Sequence, residues 1–328
     1  MANIYHDSDA DLSFLQGKTI AVIGYGNQGQ AQALNLRDSG LNVVIGTLKD
    51  DSWERAKEEK FEVYPMAEAA QLGQVIMMLI PDEVMPEVYH REIEPHLSHH
   101  KVLDFASGYN IGFALIKPLS FVDVVMVAPR MIGRGVRQLY KEGKGFASFI
   151  GIEQNASGSA KNIVLALAKG IGSTRAGVMQ LTMRQEAELD LFSEQAFGPA
   201  FGAALGAAIS VELEAGYPPE AVLLELYMSG EMAMVMQAGV EVGMIKQMDF
   251  HSQTSQYGSM TRRPRFATGE LKEKMRAVLE EIRSGKFSQE WTAEQKAGLP
   301  TFKQLKAKAK KSSLIALEER VRRELLGK

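Results

Sequence analysis

The order of strand and helix patterns is the feature of this 328-residue chain that most restricts its fold. Short apolar runs, several of them β-branched, alternate with helical patterns as far as about Thr182. Such alternation indicates a parallel sheet covered by helices on both faces. After Thr182 only helical stretches rich in Ala, Leu and Glu follow. We therefore predict an α/β domain over residues 1–182 and an all-α domain over residues 183–328.

The predicted strands are Lys18–Ile23, Asn42–Thr47, Gln74–Ile80, Lys101–Phe105, Val122–Ala128, Phe146–Ile152 and Arg175–Leu181. The predicted helices of the first domain include Asn27–Ser39 and Ser157–Lys169. Those of the second are Met183–Gly216, a helix restarted by Pro218 and Pro219 that ends near Gly239, Gly269–Ser284 and Phe302–Leu326. Proline is tolerated in the first turn of a helix, where its missing donor would be unpaired.

Composition narrows the class of protein. The net charge of −3 gives no electrostatic reason to expect nucleic acid as a partner. The absence of cysteine excludes disulfides, thiolate nucleophiles and thiolate metal sites. We find no signal peptide and no apolar run of membrane-helix length, so we expect a cytoplasmic enzyme with no membrane partner.

A glycine-rich hexapeptide follows the first strand and opens the helix Asn27–Ser39. It contains Gly24, Tyr25, Gly26, Gln28 and Gly29 in the pattern G-x-G-x-x-G. The first glycine permits the tight turn, the second the close approach of a pyrophosphate, and the third helix–strand packing. The helix N-terminus offers unpaired N–H groups to the phosphates. We therefore predict that this segment binds a dinucleotide and that residues 1–182 form an α/β Rossmann domain.

The loop after the second strand should face the adenosine ribose. Thr47, Lys49 and Ser52 could hold the 2′-phosphate of NADP, whereas Asp50 and Asp51 would repel it. Asp50 and Ser52 could instead cap the following helix. The choice between NADH and NADPH is therefore open.

Several segments together resemble the ketol-acid reductoisomerases of the short-chain class. They are Gly24–Gly40, Pro81–Glu83, Glu92–Pro95, Val127–Pro129, Ala156–Asn162, Asp190–Gln195, Glu214–Tyr217 and Ser252–Gly258. The resemblance runs from about residue 5 to residue 325, and it adds Pro81 and Asp82 to the expected cofactor residues.

The resemblance implies a bifunctional enzyme. In the family, two Mg²⁺ ions assist an alkyl shift in a 2-acetohydroxy acid, and NAD(P)H then reduces the 2-keto acid formed. The products are dihydroxy acid precursors of valine and isoleucine. It further implies a knotted helical domain and a homodimer or higher homo-oligomer whose subunits share each active site.

Carboxylates matching the family's metal ligands lie on two predicted helices. Asp190 and Glu194 are four residues apart and point to one side of a helix, and oxygen ligands suit Mg²⁺. Glu225 matches the first acid of the second pair, but Ser229 stands at the second and Glu231 follows two residues later. Six residues advance a helix by about 240°, so Glu231 should point away unless Gly230 introduces an irregularity.

Three further positions carry predicted catalytic roles. Ser107 replaces the family's histidine and cannot titrate near neutral pH. Arg130 replaces a lysine and keeps its charge but cannot give up a proton. Ser252 matches a serine that contacts substrate, and His251 beside it is expected to be a loop residue.

Other acids and other functions remain open. Glu186 and Glu188 match no ligand and are expected at the surface or behind the ligands. The departures leave two alternative functions, a simple NAD(P)H-dependent reductase of a 2-keto acid and a non-catalytic cofactor-binding protein. The alkyl shift relies on two metals and a proton network more than hydride transfer does.

Overall fold

The structure, a computed structural model, describes residues 3–325 and Gly327. The chain divides into two compact units, Met1–Asp190 and Leu191–Lys328. The change of pattern at Thr182 coincides with the start of a helix, Met183–Phe192, whose last residues belong to the second unit.

Nine strands of the described residues form one sheet. They are β1 (Ile4–Tyr5), β2 (Thr19–Ile23), β3 (Asn42–Gly46), β4 (Glu62–Tyr64), β5 (Val75–Met78), β6 (Val102–Phe105), β7 (Asp123–Pro129), β8 (Ser148–Gln154) and β9 (Val178–Gln180). Their spatial order is β1-β9-β8-β7-β6-β5-β2-β3-β4. Strands β4, β3, β2, β5, β6 and β7 are mutually parallel, so their carboxyl ends meet at one edge.

The sheet is mixed, so the prediction of a parallel sheet is wrong for two strands. Strand β8 pairs with β7 in antiparallel register, with Ser148 opposite Pro129, and β9 runs parallel to β8. Strand β1 pairs antiparallel with β9 and so runs in the direction of the other strands. The helix between β7 and β8, Gly133–Lys141, packs along the helix Asn27–Asp38. The chain therefore re-enters the sheet at the edge where it left, and β8 must run in the opposite direction.

The helices of the first unit cover both faces of the sheet. They are α1 (Asn27–Asp38), α2 (Asp51–Glu58), α3 (Met66–Leu72), α4 (Met85–Val88), α5 (Tyr109–Gly112), α6 (Gly133–Lys141), α7 (Ala160–Gly170) and α8 (Met183–Phe192). Successive strand residues face opposite sides, so Val22 packs in the core with α1 and α7 while Ile23 packs in the core with α3. Both are fully buried, and each such side chain contributes about 1.5–3 kcal/mol.

The second unit contains only helices among its described residues. They are α9 (Gly198–Glu214), α10 (Pro219–Leu223), α11 (Glu231–Val242), α12 (Gln253–Arg262), α13 (Gly269–Arg283), α14 (Lys286–Lys296), α15 (Pro300–Ala309) and α16 (Ser313–Glu324). The prediction of one helix over Phe302–Leu326 is wrong, because the helix is interrupted between α15 and α16. Ser312 caps α16 by accepting a hydrogen bond from the Leu314 amide. Leu326 lies outside the described residues.

One helical stretch, Met183–Glu214, is long and apolar enough to cross a membrane by length and composition, with a mean hydropathy of 1.4. The expectation that no such run exists is therefore wrong by this measure. Only 11% of its apolar window is buried in the single chain. Helices buried in the cores of soluble proteins meet the same criterion, so one such stretch is weak evidence for a membrane span.

Candidate active site

The glycine-rich loop joins β2 to α1 at the carboxyl edge of the sheet. Gly24 has a φ of +98°, and a Cβ there would lie 2.7 Å from the Leu79 carbonyl oxygen. A Cβ at Gly29 would lie 2.2 Å from the carbonyl oxygen of Gly24. Gly26, by contrast, has no neighbour within 4 Å of that position, so its backbone is open to a ligand. The three glycines thus have the geometry expected of a pyrophosphate-binding turn.

A cavity of about 700 Å³ opens beside this loop. The predicted cofactor residues that line it are Gly24, Tyr25, Gly26, Thr47, Lys49, Asp50, Ser52 and Pro81. Gln28, Gly29, Asp51 and Asp82 are not among its lining residues. Leu48, Trp53, Val84, Arg91 and Glu92 also line it and were not predicted. Several of these lie on helices α2 and α4 or just beyond them, whose approach to the loop the sequence does not reveal.

The ribose-facing loop is held by its own side chains. Asp50 caps α2 by accepting a hydrogen bond of 2.9 Å from the Ser52 amide, which confirms the capping interpretation for Asp50. The ammonium of Lys49 lies 5.7 Å from the centre of the Trp53 ring. Thr47 is buried and donates its amide to the Tyr64 carbonyl oxygen. The loop therefore presents cationic and acidic groups to one cavity.

The segment after β7 packs on the first turn of α1. Gln28 donates its amide to the Met131 carbonyl oxygen at 2.9 Å. A Cβ at Gly133 would lie 2.0 Å from the Asn27 carbonyl oxygen, so the contact is possible only with glycine. Gln28 therefore hydrogen-bonds to this segment, which begins with Arg130, and does not line the cavity.

Arg130 is the centre of an ion-pair cluster in the first unit. Its guanidinium donates to Glu186 Oε1 at 2.6 Å and to Asp190 Oδ1 at 2.8 Å, and it lies 4.9 Å from the Phe149 ring centre. The side chain is 28% exposed. Two sequence-predicted residues, Arg130 and Asp190, are therefore brought into direct contact, and the carboxylate is already neutralised by a fixed cation.

Glu186, expected at the surface or behind the ligands, is the buried partner of Arg130. Its side chain is fully buried, and Oε2 accepts a hydrogen bond of 2.6 Å from the Gly108 amide. Burial raises the pKa of the Glu186 carboxyl, while the Gly108 amide and Arg130 oppose the rise. Glu186 thus links Arg130 to the loop that carries Ser107, whose hydroxyl accepts from the Tyr109 amide at 3.2 Å.

Asp82 is the group in this cluster that titrates near neutral pH. Burial raises the pKa of its carboxyl to about 7, and repulsion from Glu83, Glu186 and Asp190 adds to the rise. The Asn110 amide opposes it by donating to Asp82 Oδ1 at 2.9 Å. The carboxyl edge of the sheet therefore holds a fixed cation, a hydroxyl and an acid that can exchange a proton near pH 7.

The remaining predicted metal ligands lie in the second unit. Glu194 lies in a π-helical turn, Ser193–Phe197, and Glu225 in another, Leu224–Met228. Glu225 and Glu231 are both exposed. Within the described residues, no three His, Asp or Glu side chains group closely enough to hold a metal ion by themselves.

Ser252 and His251 lie at the start of α12. Ser252 is exposed and caps this helix by accepting from the Ser255 amide at 3.2 Å. The His251 ring nitrogen lies 3.2 Å from Gln247 Oε1, and its carbonyl oxygen accepts from Gln256. Ser252 thus has a local role as a helix cap. His251 makes local contacts, as expected of a loop histidine.

A nicotinamide dinucleotide is the class of ligand that the turn, the open Gly26 and the adjoining cavity fit. The first unit is a Rossmann domain of an oxidoreductase, and its carboxyl edge carries charged and polar groups that could contact a small-molecule substrate.

Comparison with known proteins identifies the family of this chain. Residues 14–177 match the acetohydroxy acid isomeroreductase NADPH-binding domain, and residues 183–325 match the ketol-acid reductoisomerase C-terminal domain. The chain is 44% identical over 98% of each sequence to a ketol-acid reductoisomerase (NADP(+)) of Methanopyrus kandleri, and 43% identical over the full length of one from Pyrobaculum calidifontis. The solved structure of an NADH-preferring ketol-acid reductoisomerase from an uncultured archaeon matches with a TM-score of 0.94 at 39% identity, covering 98% of this chain and 99% of that one. This chain belongs to the ketol-acid reductoisomerase family.

Proposed function

We propose that the protein isomerises a 2-acetohydroxy acid and reduces the product to a 2,3-dihydroxy acid with NAD(P)H, as in valine and isoleucine biosynthesis. The observation that carries this proposal is the Arg130–Glu186–Asp190 cluster. It lies at the carboxyl edge of the sheet, and the dinucleotide cavity opens at the same edge. A cytoplasmic location accords with such a biosynthetic role.

The cofactor is assigned to the cavity beside Gly24 and Gly26. We propose use of both cofactors or a preference for NADH, because Asp50 and Asp51 disfavour a 2′-phosphate by like-charge repulsion. Asp50 lines the cavity, whereas Asp51 lies outside its lining, so Asp50 carries most of the argument. Measured kcat/KM values for NADH and NADPH test it. A preference for NADPH above about tenfold, roughly 1.4 kcal/mol, would contradict it.

The metal is assigned to the carboxylates Asp190, Glu194, Glu225 and Glu231. An all-oxygen donor set suits Mg²⁺, and the Asp190 side chain is 41% exposed and so accessible to an ion. When bound, Mg²⁺ would polarise the substrate oxygens, and the nicotinamide would supply the hydride. Arg130 orients Asp190, Ser107 offers a hydrogen bond to substrate, and Ser252 is assigned a second one.

A homodimer or larger homo-oligomer is the proposed assembly. Large apolar side chains of the second unit are exposed in the single chain, among them Phe197, Met234, Val240 and Phe266. Apolar surface on this scale normally marks an interface between proteins. A second copy would cover it and could supply the further carboxylates that a two-metal site needs. Light scattering should give at least twice the mass of one chain, and a monomer at micromolar concentration would contradict this assembly.

One assay tests the activity. NADH and NADPH consumption is followed with 2-acetolactate in Mg²⁺, and then with 3-hydroxy-3-methyl-2-oxobutanoate, the intermediate already past the alkyl shift. Turnover of both supports a reductoisomerase. Turnover of the second alone would restrict the protein to reduction, and turnover of neither would contradict the proposed function.

A further inference from the structure

Tyr25 belongs to the glycine-rich loop that lines the cofactor cavity, and its side chain is buried. It is 1% exposed, and its ring packs edge-on against Phe61 with the centroids 5.8 Å apart. Its hydroxyl donates a short hydrogen bond to Glu59 Oε2. A buried phenol without a partner would be costly, and burial together with Glu59 holds the pKa of Tyr25 well above its usual range. The hydroxyl is therefore a permanent donor to this carboxylate.

Glu59 connects the glycine-rich loop to two helices. Its Oε1 accepts from Gln30 Nε2 at 2.9 Å, in the opening turns of α1. Its carbonyl oxygen accepts from Arg37 Nη1 at 2.5 Å, near the end of the same helix. Its amide closes the last turn of α2 by donating to the Arg55 carbonyl oxygen at 3.0 Å. One residue thus joins the loop, α1 and α2.

The helix α2 makes a second contact with the glycine-rich loop. Arg55, in the middle of α2, donates to the Tyr25 carbonyl oxygen at 3.4 Å and, within the helix, to Ser52 Oγ at 3.2 Å. Ser52 lies in the first turn of α2, directly after the loop that faces the adenosine ribose. The pyrophosphate loop is therefore tied by Glu59 and Arg55 to the helix that continues from the ribose loop.

We propose that Glu59 is a positioning residue for the dinucleotide, which through the Tyr25 hydroxyl holds the Gly24–Gly26 backbone at the spacing that the bound cofactor requires. The proposal rests on the proposed use of NAD(P)H. Binding is tighter when the site is preorganised, because less conformational entropy is lost. We call the Tyr25–Glu59 hydrogen bond the latch. Its loss should weaken cofactor binding and leave the chemical step almost unchanged.

The test uses Tyr25→Phe, Glu59→Ala and their double variant in the full-length protein. Dissociation constants for NADH are measured by the change in nicotinamide fluorescence. Because a hydrogen bond to a charged group is removed, each single variant should bind NADH about tenfold more weakly. The double variant should be no weaker than Glu59→Ala, because both changes break one contact. Glu59→Gln, which keeps an acceptor for Tyr25, should recover most of the affinity.

Matched controls separate positioning from general damage. Tyr64→Phe removes a phenol that donates to Glu62 at 2.9 Å outside the cavity, and Glu58→Ala removes the exposed neighbour of Glu59. Both should bind NADH as the wild type does. In the latch variants, KM for NADH should rise while kcat at saturating NADH and KM for the keto acid stay within about twofold.

Two binding results would overturn the proposal. The first is wild-type NADH affinity in both Tyr25→Phe and Glu59→Ala, and the second is an equal loss in Tyr64→Phe. A fall in kcat at unchanged affinity would also contradict it, because the residue would then act on the reaction. If the wild type itself binds neither NADH nor NADPH, the proposed function fails instead, and that result is visible before any variant is made.

Discussion

Replacing Asp104 should stabilise the protein. Asp104 lies in β6 beside Met77 and Val125 of the neighbouring strands, on the same sheet face as the apolar Val102. Its side chain is fully buried, and neither carboxyl oxygen has a hydrogen-bond partner of normal geometry among the described residues. An unsatisfied buried polar group costs about 1–3 kcal/mol. Asp104→Val, which fits a strand and leaves no polar atom, should recover that amount.

The pH dependence has a definite sign. Burial holds the pKa of the Asp104 carboxyl well above 3.8, although the nearby Val127 amide opposes the rise. The folded protein thus binds one proton more than the unfolded chain at pH values above 3.8. The contribution of Asp104 to the free energy of unfolding is greatest below pH 3.8. As the pH rises above 3.8, stability falls by about 1.4 kcal/mol per pH unit until the pH passes the raised pKa. Asp104→Asn, neutral throughout, should therefore gain on the wild type as pH rises.

Thermal unfolding at pH 4 and pH 8 measures both effects. For a unit of this size, 1 kcal/mol corresponds to roughly 3 °C in Tm, so Asp104→Val should melt about 3–9 °C above the wild type at pH 4 and by a larger margin at pH 8. Asp104→Asn should lie close to the wild type at pH 4 and above it at pH 8. The control is Asp123→Asn, since Asp123 is equally buried but accepts from the Ser157 amide and hydroxyl at 2.8 and 2.5 Å. It should lose stability.

A constant Tm difference between Asp104→Asn and the wild type at the two pH values would refute this reasoning. The carboxyl would then have the same protonation in the folded and unfolded protein, which requires a partner that satisfies it. Destabilisation by Asp104→Val would likewise show that the carboxyl makes favourable interactions in the native sheet.

Three further outcomes are expected. Asp190→Asn should abolish Mg²⁺-dependent substrate binding but leave NADH binding intact by calorimetry; loss of NADH binding with metal binding retained would reverse the assignment of the sites. Glu186→Gln should lower stability by about 2 kcal/mol in denaturant titrations, because Arg130 loses a hydrogen bond to a charged partner, and an unchanged midpoint would argue against that ion pair. Relative to a standard family member, the wild type should reduce the keto intermediate better than it isomerises 2-acetolactate. Restoring Ser107→His with Ser229→Glu should raise isomerisation more than reduction, and equal wild-type turnover of both substrates would mean that the substitutions are compensated.

The central strands and the glycine-rich turn could be predicted because local patterns determine them. Strands β2, β3, β5, β6 and β7 are buried on both faces, and such strands read as continuous apolar runs. The edge strands Ile4–Tyr5 and Glu62–Tyr64 are too short to give a pattern and were missed. The antiparallel direction of β8 follows from the return of the chain to the sheet opposite the end of β7, which no local pattern records.

The site was predictable where backbone geometry defines it and less so where burial does. Glu186 and Glu188 look alike in sequence, and both were expected at the surface or behind the ligands, yet Glu186 is the one that lies fully buried against Arg130. Asp104 lies within the predicted strand Lys101–Phe105, and the sequence analysis assigned it no special role. Its lack of a hydrogen-bond partner became apparent only from the packing of the neighbouring strands.

The orientation of Glu231 shows how one backbone residue changes an argument from periodicity. The 240° separation from Glu225 assumes one continuous helix, but Gly230 has a φ of +90° and begins a new helix at Glu231. The angle therefore does not exclude Glu231 as a ligand. An acid at a helix N-terminus is also stabilised by the helix dipole, and the Glu231 amide donates to Ser229 Oγ at 3.4 Å. Glu231 consequently has a structural reason to be there, and only loss of Mg²⁺ affinity in Glu231→Gln would assign it to the metal.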